Sequence, residues 1–123
     1  MGSPTQRTCA MLRERGCQVA IVEKWNRWAK VRQDVFGFGD LLSCRDRTRE
    51  TGGIVLVQCT SGDHHAERRE KILSLPAART WLDAGGGILL VSWAKQGPRG
   101  KRKLWTAREE WITVEDFGKG EAG

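Results

Sequence analysis

"GIVLVQCTSG", residues 53–62, gives the clearest indication of the fold. Its first half is an almost continuous apolar run, typical of a central strand that is covered on both faces of a sheet. Its second half becomes polar at Gln58 and Thr60. Successive side chains of a strand point to opposite faces, so these two residues share one face and Cys59 lies on the other. The run therefore predicts a buried strand with two polar side chains near its carboxyl end.

A helix and a strand are predicted at the amino-terminal end of the chain. Ser3 as N-cap, a proline at the first helical position and Gln6 three residues after the cap form a capping-box pattern. Gly16 is the expected end of this helix, since glycine adopts the left-handed conformation without steric cost. The sequence thus predicts a helix over 4–15, followed by an apolar, β-branched strand over 17–25.

The stretch "DVFGFGDLL", residues 34–42, leads into the next strand. Residues 26–38 show no sustained periodicity and predict a long ordered loop, a kind of segment that often carries function. A second strand is expected over 39–45, and "ETGG" at 50–53 is a turn signal. This second strand and the third, over 54–60, are therefore predicted to form a hairpin.

The second half of the chain predicts two helical segments and further strands. Ser61 and Asp63 are candidate caps of the first helix, and Pro76 begins the second. The expected bounds are helix 61–74, helical piece 76–82, buried strand 88–94, edge strand 104–106, a final strand or turn at 109–117, and a disordered tail at 118–123. The order αβββαβ predicts a single α/β domain over 4–117, with a mixed sheet flanked by helices.

Composition and charge reduce the number of candidate functions. The 123 residues carry a net charge of +6 and a pI near 9.6. Positive charge is concentrated at 45–50 and 95–103, two predicted loops, which favours a polyanionic partner. No apolar run approaches the roughly 20 residues of a membrane helix, and the start of the chain lacks a secretory apolar region. We therefore expect a cytoplasmic protein that does not cross a membrane.

The cysteines and tryptophans are interpreted mainly as structural. Four widely spaced cysteines without CxxC pairs predict buried thiols, with a less favoured alternative of a zinc site. The ligands of that alternative site would be Cys44, Cys59, His64 and His65. Three tryptophans at apolar periodic positions are expected in the core, namely Trp81, Trp93 and Trp111. Three others, near basic residues, are candidates for stacking on bases or for edge packing, namely Trp25, Trp28 and Trp105.

An Asp at the start of the second strand and a polar pair at the end of the third, within an αβββαβ order, resemble the PD-(D/E)XK nuclease superfamily. The resemblance covers residues 5 to about 114 and is greatest to small Holliday junction resolvase-like and VRR-NUC-like domains, many of them from phages and mobile elements. In that pattern an Asp and a Glu hold Mg²⁺, and a Lys two residues after the Glu helps to activate water. Asp40 matches the Asp, whereas Gln58 stands in place of the acid and Thr60 in place of the lysine.

The resemblance implies a metal site and a set of catalytic residues. A Gln amide oxygen can replace a carboxylate oxygen as a ligand of Mg²⁺ or Mn²⁺, with lower affinity because a charge is lost. The implied metal ligands are Asp40, Gln58, Glu23 and Asp34. Glu23 as a surface charge and Asp34 as a loop cap are the alternative interpretations. Lys24, Arg68, Arg69 and Lys71 are candidates to replace the missing lysine, and His65 is a candidate base or phosphate contact. The implied catalytic set is thus Asp40, Gln58, Thr60, Lys24 and His65.

The expected function is metal-dependent hydrolysis of DNA, on branched or recombination intermediates, by a homodimer. The expected contacts to nucleic acid are Arg68, Arg69, Lys71, Arg99, Lys101, Arg102 and Lys103. Two alternatives remain. One is a non-catalytic DNA-binding module that keeps the fold after losing the acid and the lysine. The other is an RNA-binding or protein-interaction domain of a mobile element.

Overall fold

A five-stranded mixed sheet forms the centre of the computed structural model, which describes residues 2–49 and 52–118. The helices are α1 (Pro4–Glu14), α2 (His65–Leu73) and α3 (Pro76–Asp83), and the strands are β1 (Gln18–Ile21), β2 (Lys24–Asn26), β3 (Val31–Gln33), β4 (Leu41–Arg45), β5 (Gly53–Ser61), β6 (Gly87–Gln96) and β7 (Leu104–Ile112). The sheet has the order β1-β4-β5-β6-β7, and β2 pairs with β3 separately. The chain is thus a small α/β domain with helices flanking a mixed sheet.

Strand β5 is the central strand, as its apolar run predicts. It pairs antiparallel with β4 and parallel with β6, which confirms the predicted hairpin and the crossover through α2 and α3. Val55 and Val57 pack in one core cluster with Leu12 of α1. Leu56 points the other way and packs with Ile72 of α2. Because β5 is covered on both faces, polar groups near its end are shielded from solvent.

Both ends of α1 are confirmed. The Ser3 hydroxyl accepts a hydrogen bond from the Gln6 amide at 3.2 Å, and the Gln6 side chain accepts one from the Ser3 amide at 3.1 Å. This is the predicted capping box. Gly16 follows the helix with φ of +90°, the left-handed conformation expected for a glycine stop.

The region predicted as one strand over 17–25 and a loop over 26–38 is different. Strand β1 ends early because the amides of Val22 and Glu23 both donate to the carbonyl oxygen of Asp40, at 3.0 and 3.3 Å. This shared acceptor takes the chain out of the β1–β4 ladder. The following residues form the two-stranded β2–β3 hairpin instead of an irregular loop. The hydrophobic pattern of the sequence did not predict this hairpin, because strands of three residues are too short to show an alternation.

The end of the chain also differs from the prediction. In place of a short strand at 104–106 and a strand or turn at 109–117, β7 is one strand of nine residues paired along its whole length with β6. A 3-10 turn, Val114–Phe117, follows it. Most of β7 is exposed because it lies at the edge of the sheet. Its sequence therefore contains many polar residues and lacks the regular apolar alternation that predicts a strand.

Two predictions of burial are wrong. Trp111 is 38% exposed because it lies on the edge strand β7, and Cys44 is exposed whereas the other three cysteines are buried. Trp81 and Trp93 do pack against the core, and their indole nitrogens donate hydrogen bonds of 2.7 and 2.9 Å. Burial of an indole requires such a partner.

Part of two predictions lies outside the described residues. These are the turn at 50–53, of which Glu50 and Thr51 are not described, and the tail, of which 119–123 are not described. None of the described helices combines the length and the apolar character needed to cross a membrane.

Candidate metal centre

Asp40 lies immediately before β4 and beside Gln58 of β5. Its amide donates to the Val57 carbonyl at 2.9 Å, which continues the β4–β5 pairing. Its Oδ2 accepts hydrogen bonds from the Cys59 amide at 2.8 Å and from Gln58 Nε2 at 2.9 Å. Asp40 is only 4% exposed. Asp40 and Gln58, which the family resemblance implies as neighbours, are therefore in direct contact near the end of β5.

The tight turn before Asp40 determines its position. Val35 and Gly39 form an isolated β-bridge, and Gly37 within the turn has φ of +87°. A Cβ on Gly39 would stand 2.8 Å from a methyl carbon of the buried Leu56, so a larger residue here would force that side chain to move. Phe38 between the two glycines is fully buried and anchors the turn. The apolar and glycine residues of the stretch thus place a carboxylate against the central strand.

Three carboxylates converge at this point. One oxygen each of Glu23, Asp34 and Asp40 lies within 4.8 Å of the others. Glu23 follows β1, and its backbone N–H donates a hydrogen bond to the Asp40 carbonyl oxygen, while Asp34 directly follows β3. Such a group of carboxylate oxygens could hold a metal ion. We call these three residues the acidic cluster.

One carboxyl group of the acidic cluster has a strongly raised pKa. Burial raises the pKa of Asp40 to about 8, the hydrogen bond from the Cys59 amide opposes this change, and Asp34 and Glu23 raise the pKa further. Three carboxylates at this separation repel one another when all are ionised. A proton on Asp40, or a divalent cation, would relieve that repulsion.

Two basic side chains contact the acidic cluster. Arg32 Nη1 lies 2.8 Å from Glu23 Oε1, and Lys71 Nζ lies 3.5 Å from Asp34 Oδ2. Lys71 belongs to α2 and was one of four candidates to replace the lysine missing at Thr60. Thr60 itself is buried on the same strand as Gln58. Helix α2 therefore places an ammonium group next to the carboxylates. Strand β5, the third strand of the family pattern, has Thr60 where that pattern has a lysine.

Two buried polar atoms near the end of β5 and on α2 have no hydrogen-bond partner among the described residues. They are Gln58 Oε1 and Arg68 Nε. An unpartnered buried polar atom costs roughly 1–3 kcal/mol, so each of these two atoms is available to a water molecule or to another hydrogen-bonding or coordinating group. Oε1 belongs to the same amide that contacts Asp40, and rotation of that amide presents oxygen in place of nitrogen. An oxygen donor suits a hard cation, whereas a guanidinium N–H suits an anion such as phosphate.

The acidic cluster offers carboxylate oxygens as ligands, and hard divalent cations prefer oxygen to nitrogen or sulfur. The alternative zinc site is not formed, because its four side chains do not converge within the described residues. Cys44 is exposed and His64 is exposed, whereas Cys59 and His65 are buried.

His65 lies in a different network from the acidic cluster. Its Nδ1 is 2.7 Å from Ser92 Oγ and its Nε2 is 2.9 Å from Glu110 Oε1. Arg69 contacts Glu110 and Asp116, at 2.7 and 2.8 Å. Burial opposes the ionisation of Glu110, but the hydrogen bonds from Arg69 and His65 outweigh it and keep its pKa below the ordinary value. These contacts join α2 to β6, β7 and the last 3-10 turn.

We expect His65→Ala to destabilise the fold. His65 is 2% exposed and both of its ring nitrogens have partners, so truncation leaves a cavity and two unpaired polar groups. The free energy of unfolding should fall by about 2–4 kcal/mol, measured by urea denaturation. His64→Ala is the matched control, since His64 is exposed and should change stability by less than about 0.5 kcal/mol. Unchanged stability of His65→Ala would contradict a structural role.

The other predicted residues are not part of the acidic cluster. Lys24 is exposed on β2, where it lines an open pocket described below. The basic residues of the β6–β7 connection are exposed at the far edge of the sheet, namely Arg99, Lys101, Arg102 and Lys103. Sequence reasoning missed Arg32, Ser92 and Glu110. Their contacts, with Glu23 in the first case and with His65 in the other two, were not predicted.

No protein-family model, no curated protein and no solved structure matches this chain. Its function must therefore be argued from the site.

Proposed function

We propose that this chain is a metal-dependent nuclease that hydrolyses phosphodiester bonds of DNA. The observation that carries the proposal is the convergence of Glu23, Asp34 and Asp40 beside the unpartnered oxygen of Gln58. Once the separate β2–β3 hairpin is set aside, the order α1, β1, β4, β5, α2 and α3, β6 and the position of Asp40 opposite Gln58 support a divergent PD-(D/E)XK site, with a restriction-endonuclease-like core. The substitutions at Gln58 and Thr60 are compensated by the third carboxylate and by Lys71.

The side chains of this site have distinct tasks. Asp40, Asp34, Glu23 and Gln58 Oε1 would hold Mg²⁺ or Mn²⁺. A bound cation would polarise a phosphate oxygen of the substrate and would lower the pKa of a bound water. Lys71, beside Asp34, donates N–H groups to the phosphate or to the attacking water and balances the charge of the cluster.

Arg68 and Asp40 add two further functions. The unpartnered Nε of Arg68, one helical turn before Lys71 on α2, donates a hydrogen bond to a phosphate oxygen. Asp40 holds a proton near neutral pH and releases it when the cation binds. The basic β6–β7 connection binds the DNA backbone away from the reacting phosphate. By analogy with resolvase-like domains, two copies would pair to act on two strands.

A non-catalytic DNA-binding module is the second candidate. It is favoured by one contact, the hydrogen bond from Gln58 Nε2 to Asp40 Oδ2, which occupies a potential ligand atom with a neutral donor. In that case the acidic cluster would be a relic that needs only protons, and DNA affinity would be independent of Mg²⁺.

We expect the pure protein to cleave DNA only with Mg²⁺ or Mn²⁺ present. Four-way junctions, blunt duplex and single-stranded DNA, each end-labelled, are incubated with Mg²⁺, Mn²⁺, Ca²⁺ or EDTA and resolved on denaturing gels. DNA affinity measured in parallel should fall as salt rises, since phosphate contacts release counterions. Binding without cleavage under every condition would support the second candidate. Salt-independent binding, or none, would overturn both.

A further inference from the structure

The β2–β3 hairpin presents an unusual surface. Between residues 24 and 33 it contains four basic residues and no acidic one. Trp25 is 62% exposed and Trp28, near the tip, is 88% exposed. The tip is ordered, because Asn26 Oδ1 accepts hydrogen bonds of 3.0 Å from the amides of Trp28 and Ala29. Exposed indoles beside basic side chains on a defined turn indicate a binding surface for a ligand with rings and negative charge.

A pocket of about 410 Å³ lies between this hairpin and the start of α1. Its volume is in the range of small-ligand sites, enough for one nucleotide. Its lining offers apolar, cationic and polar groups, provided by Ile21, Trp25, Lys24, Arg32, Gln6 and Glu23. The pocket therefore combines an aromatic platform for a base with cations for a phosphate.

The pocket is continuous with the acidic cluster. Glu23 lines the pocket and is also one of the three clustered carboxylates. Arg32 lines the pocket too, and its guanidinium lies 2.8 Å from Glu23. A nucleotide in the pocket would therefore have its phosphate next to the proposed cation.

Trp25 is more available for stacking than Trp105, which is also exposed. The ring of Trp105 is already covered by the Arg7 guanidinium at 3.8 Å, with Lys95 at 5.3 Å. Among the described residues, Trp25 has no ring or cation partner of this kind. The bases of a duplex have both faces covered by their neighbours, so only an unpaired base can stack in this pocket.

We propose that the pocket beside Trp25 binds an unpaired nucleotide of DNA next to the acidic cluster. This inference rests on the proposed function and makes it more specific: the substrate is DNA with a single-stranded segment, not a continuous duplex. Trp25 stacks on the base, and Lys24 and Arg32 contact its phosphate.

The test measures binding of fluorescein-labelled DNA in EDTA, so that cleavage plays no part. A 12-nucleotide single strand and a blunt duplex of the same length are titrated against wild type, Trp25→Ala, Trp25→Phe and Trp111→Ala. Trp111 is the matched control, because it is also a partly exposed tryptophan but lies on the edge strand β7 and does not line the pocket.

We expect Trp25→Ala to weaken single-strand binding about tenfold and to leave duplex binding within about twofold of wild type. Trp25→Phe should recover most of the affinity because it keeps a stacking face, and Trp111→Ala should match wild type. Equal losses for both DNAs, or no loss for either, would overturn the inference. Failure of the nuclease proposal would be visible separately, as absence of cleavage in Mg²⁺ and Mn²⁺ with this binding preference intact.

Discussion

Asp40→Asn lowers metal-dependent cleavage of DNA by about a thousandfold or more, if the acidic cluster is the catalytic metal site. The asparagine keeps the size of the side chain and an oxygen that can accept the Cys59 amide hydrogen bond. It removes the charge that a divalent cation requires at the centre of the cluster. The effect should therefore be on metal binding and catalysis, with little change in the fold.

Single-turnover cleavage in Mg²⁺ and Mn²⁺ measures the catalytic loss. Thermal unfolding gives a second reading: Mn²⁺ at a hundred times its Kd should stabilise wild type by about 3 kcal/mol and Asp40→Asn hardly at all. Asp83→Asn is the matched control, since Asp83 is an exposed carboxylate paired with Arg79 on α3. Cleavage by Asp40→Asn at the wild-type rate would show that the reaction takes place elsewhere.

The stability of the metal-free protein falls as pH rises from about 4 to about 8. Asp40 in the folded protein has a pKa of about 8, mainly because of burial, whereas an unfolded Asp has its ordinary value near 4. Between these values the folded state holds one more proton than the unfolded state. The stabilisation is thus fully present below the unfolded pKa and is lost as pH rises through the folded pKa. The limiting slope is about 1.4 kcal/mol per pH unit, and the loss between pH 5 and 8 is roughly 3–4 kcal/mol because the slope decreases near the folded pKa.

Urea denaturation of wild type and Asp40→Asn at pH 5, 6, 7 and 8, in EDTA, isolates this effect. The difference between the two proteins cancels the titration of other groups, because asparagine does not ionise. We expect Asp40→Asn to gain on wild type with each step in pH. Glu109 and Glu110, whose pKa values are lowered by their arginine partners, change stability only below this range. Parallel curves for the two proteins would contradict a raised pKa at Asp40.

The elements that sequence reasoning predicted best were those determined by contacts close in sequence. The capping box of Ser3 and Gln6 and the stop at Gly16 depend on residues within one helical turn. The contact between Asp40 and Gln58 was implied by the resemblance to the nuclease superfamily, and the predicted hairpin of β4 and β5 agrees with it. The helix ends thus needed only the local sequence, whereas this contact needed the pattern of a known fold.

Predictions failed where a segment depends on distant partners. The β2–β3 hairpin exists because β1 is interrupted by amide contacts to Asp40, seventeen or more positions away. The continuous β7 requires β6 as a template. His65, predicted beside the phosphate, is instead held by Ser92 and Glu110, because their strands lie next to the start of α2. No local periodicity contains this information.

The order and pattern of the elements predicted the α/β class and the buried central strand, and the resemblance to the nuclease superfamily implied that Asp40 and Gln58 are neighbours. The packing of the whole chain was needed to show which candidate residues come together: Glu23 and Asp34 lie with Asp40, Lys71 approaches from α2, and a pocket with Trp25 opens beside them. The difference lies in the sequence range over which the interactions act. Capping, alternation and glycine turns act over a few residues, whereas the acidic cluster is assembled from the ends of separate strands whose spacing the packed core sets.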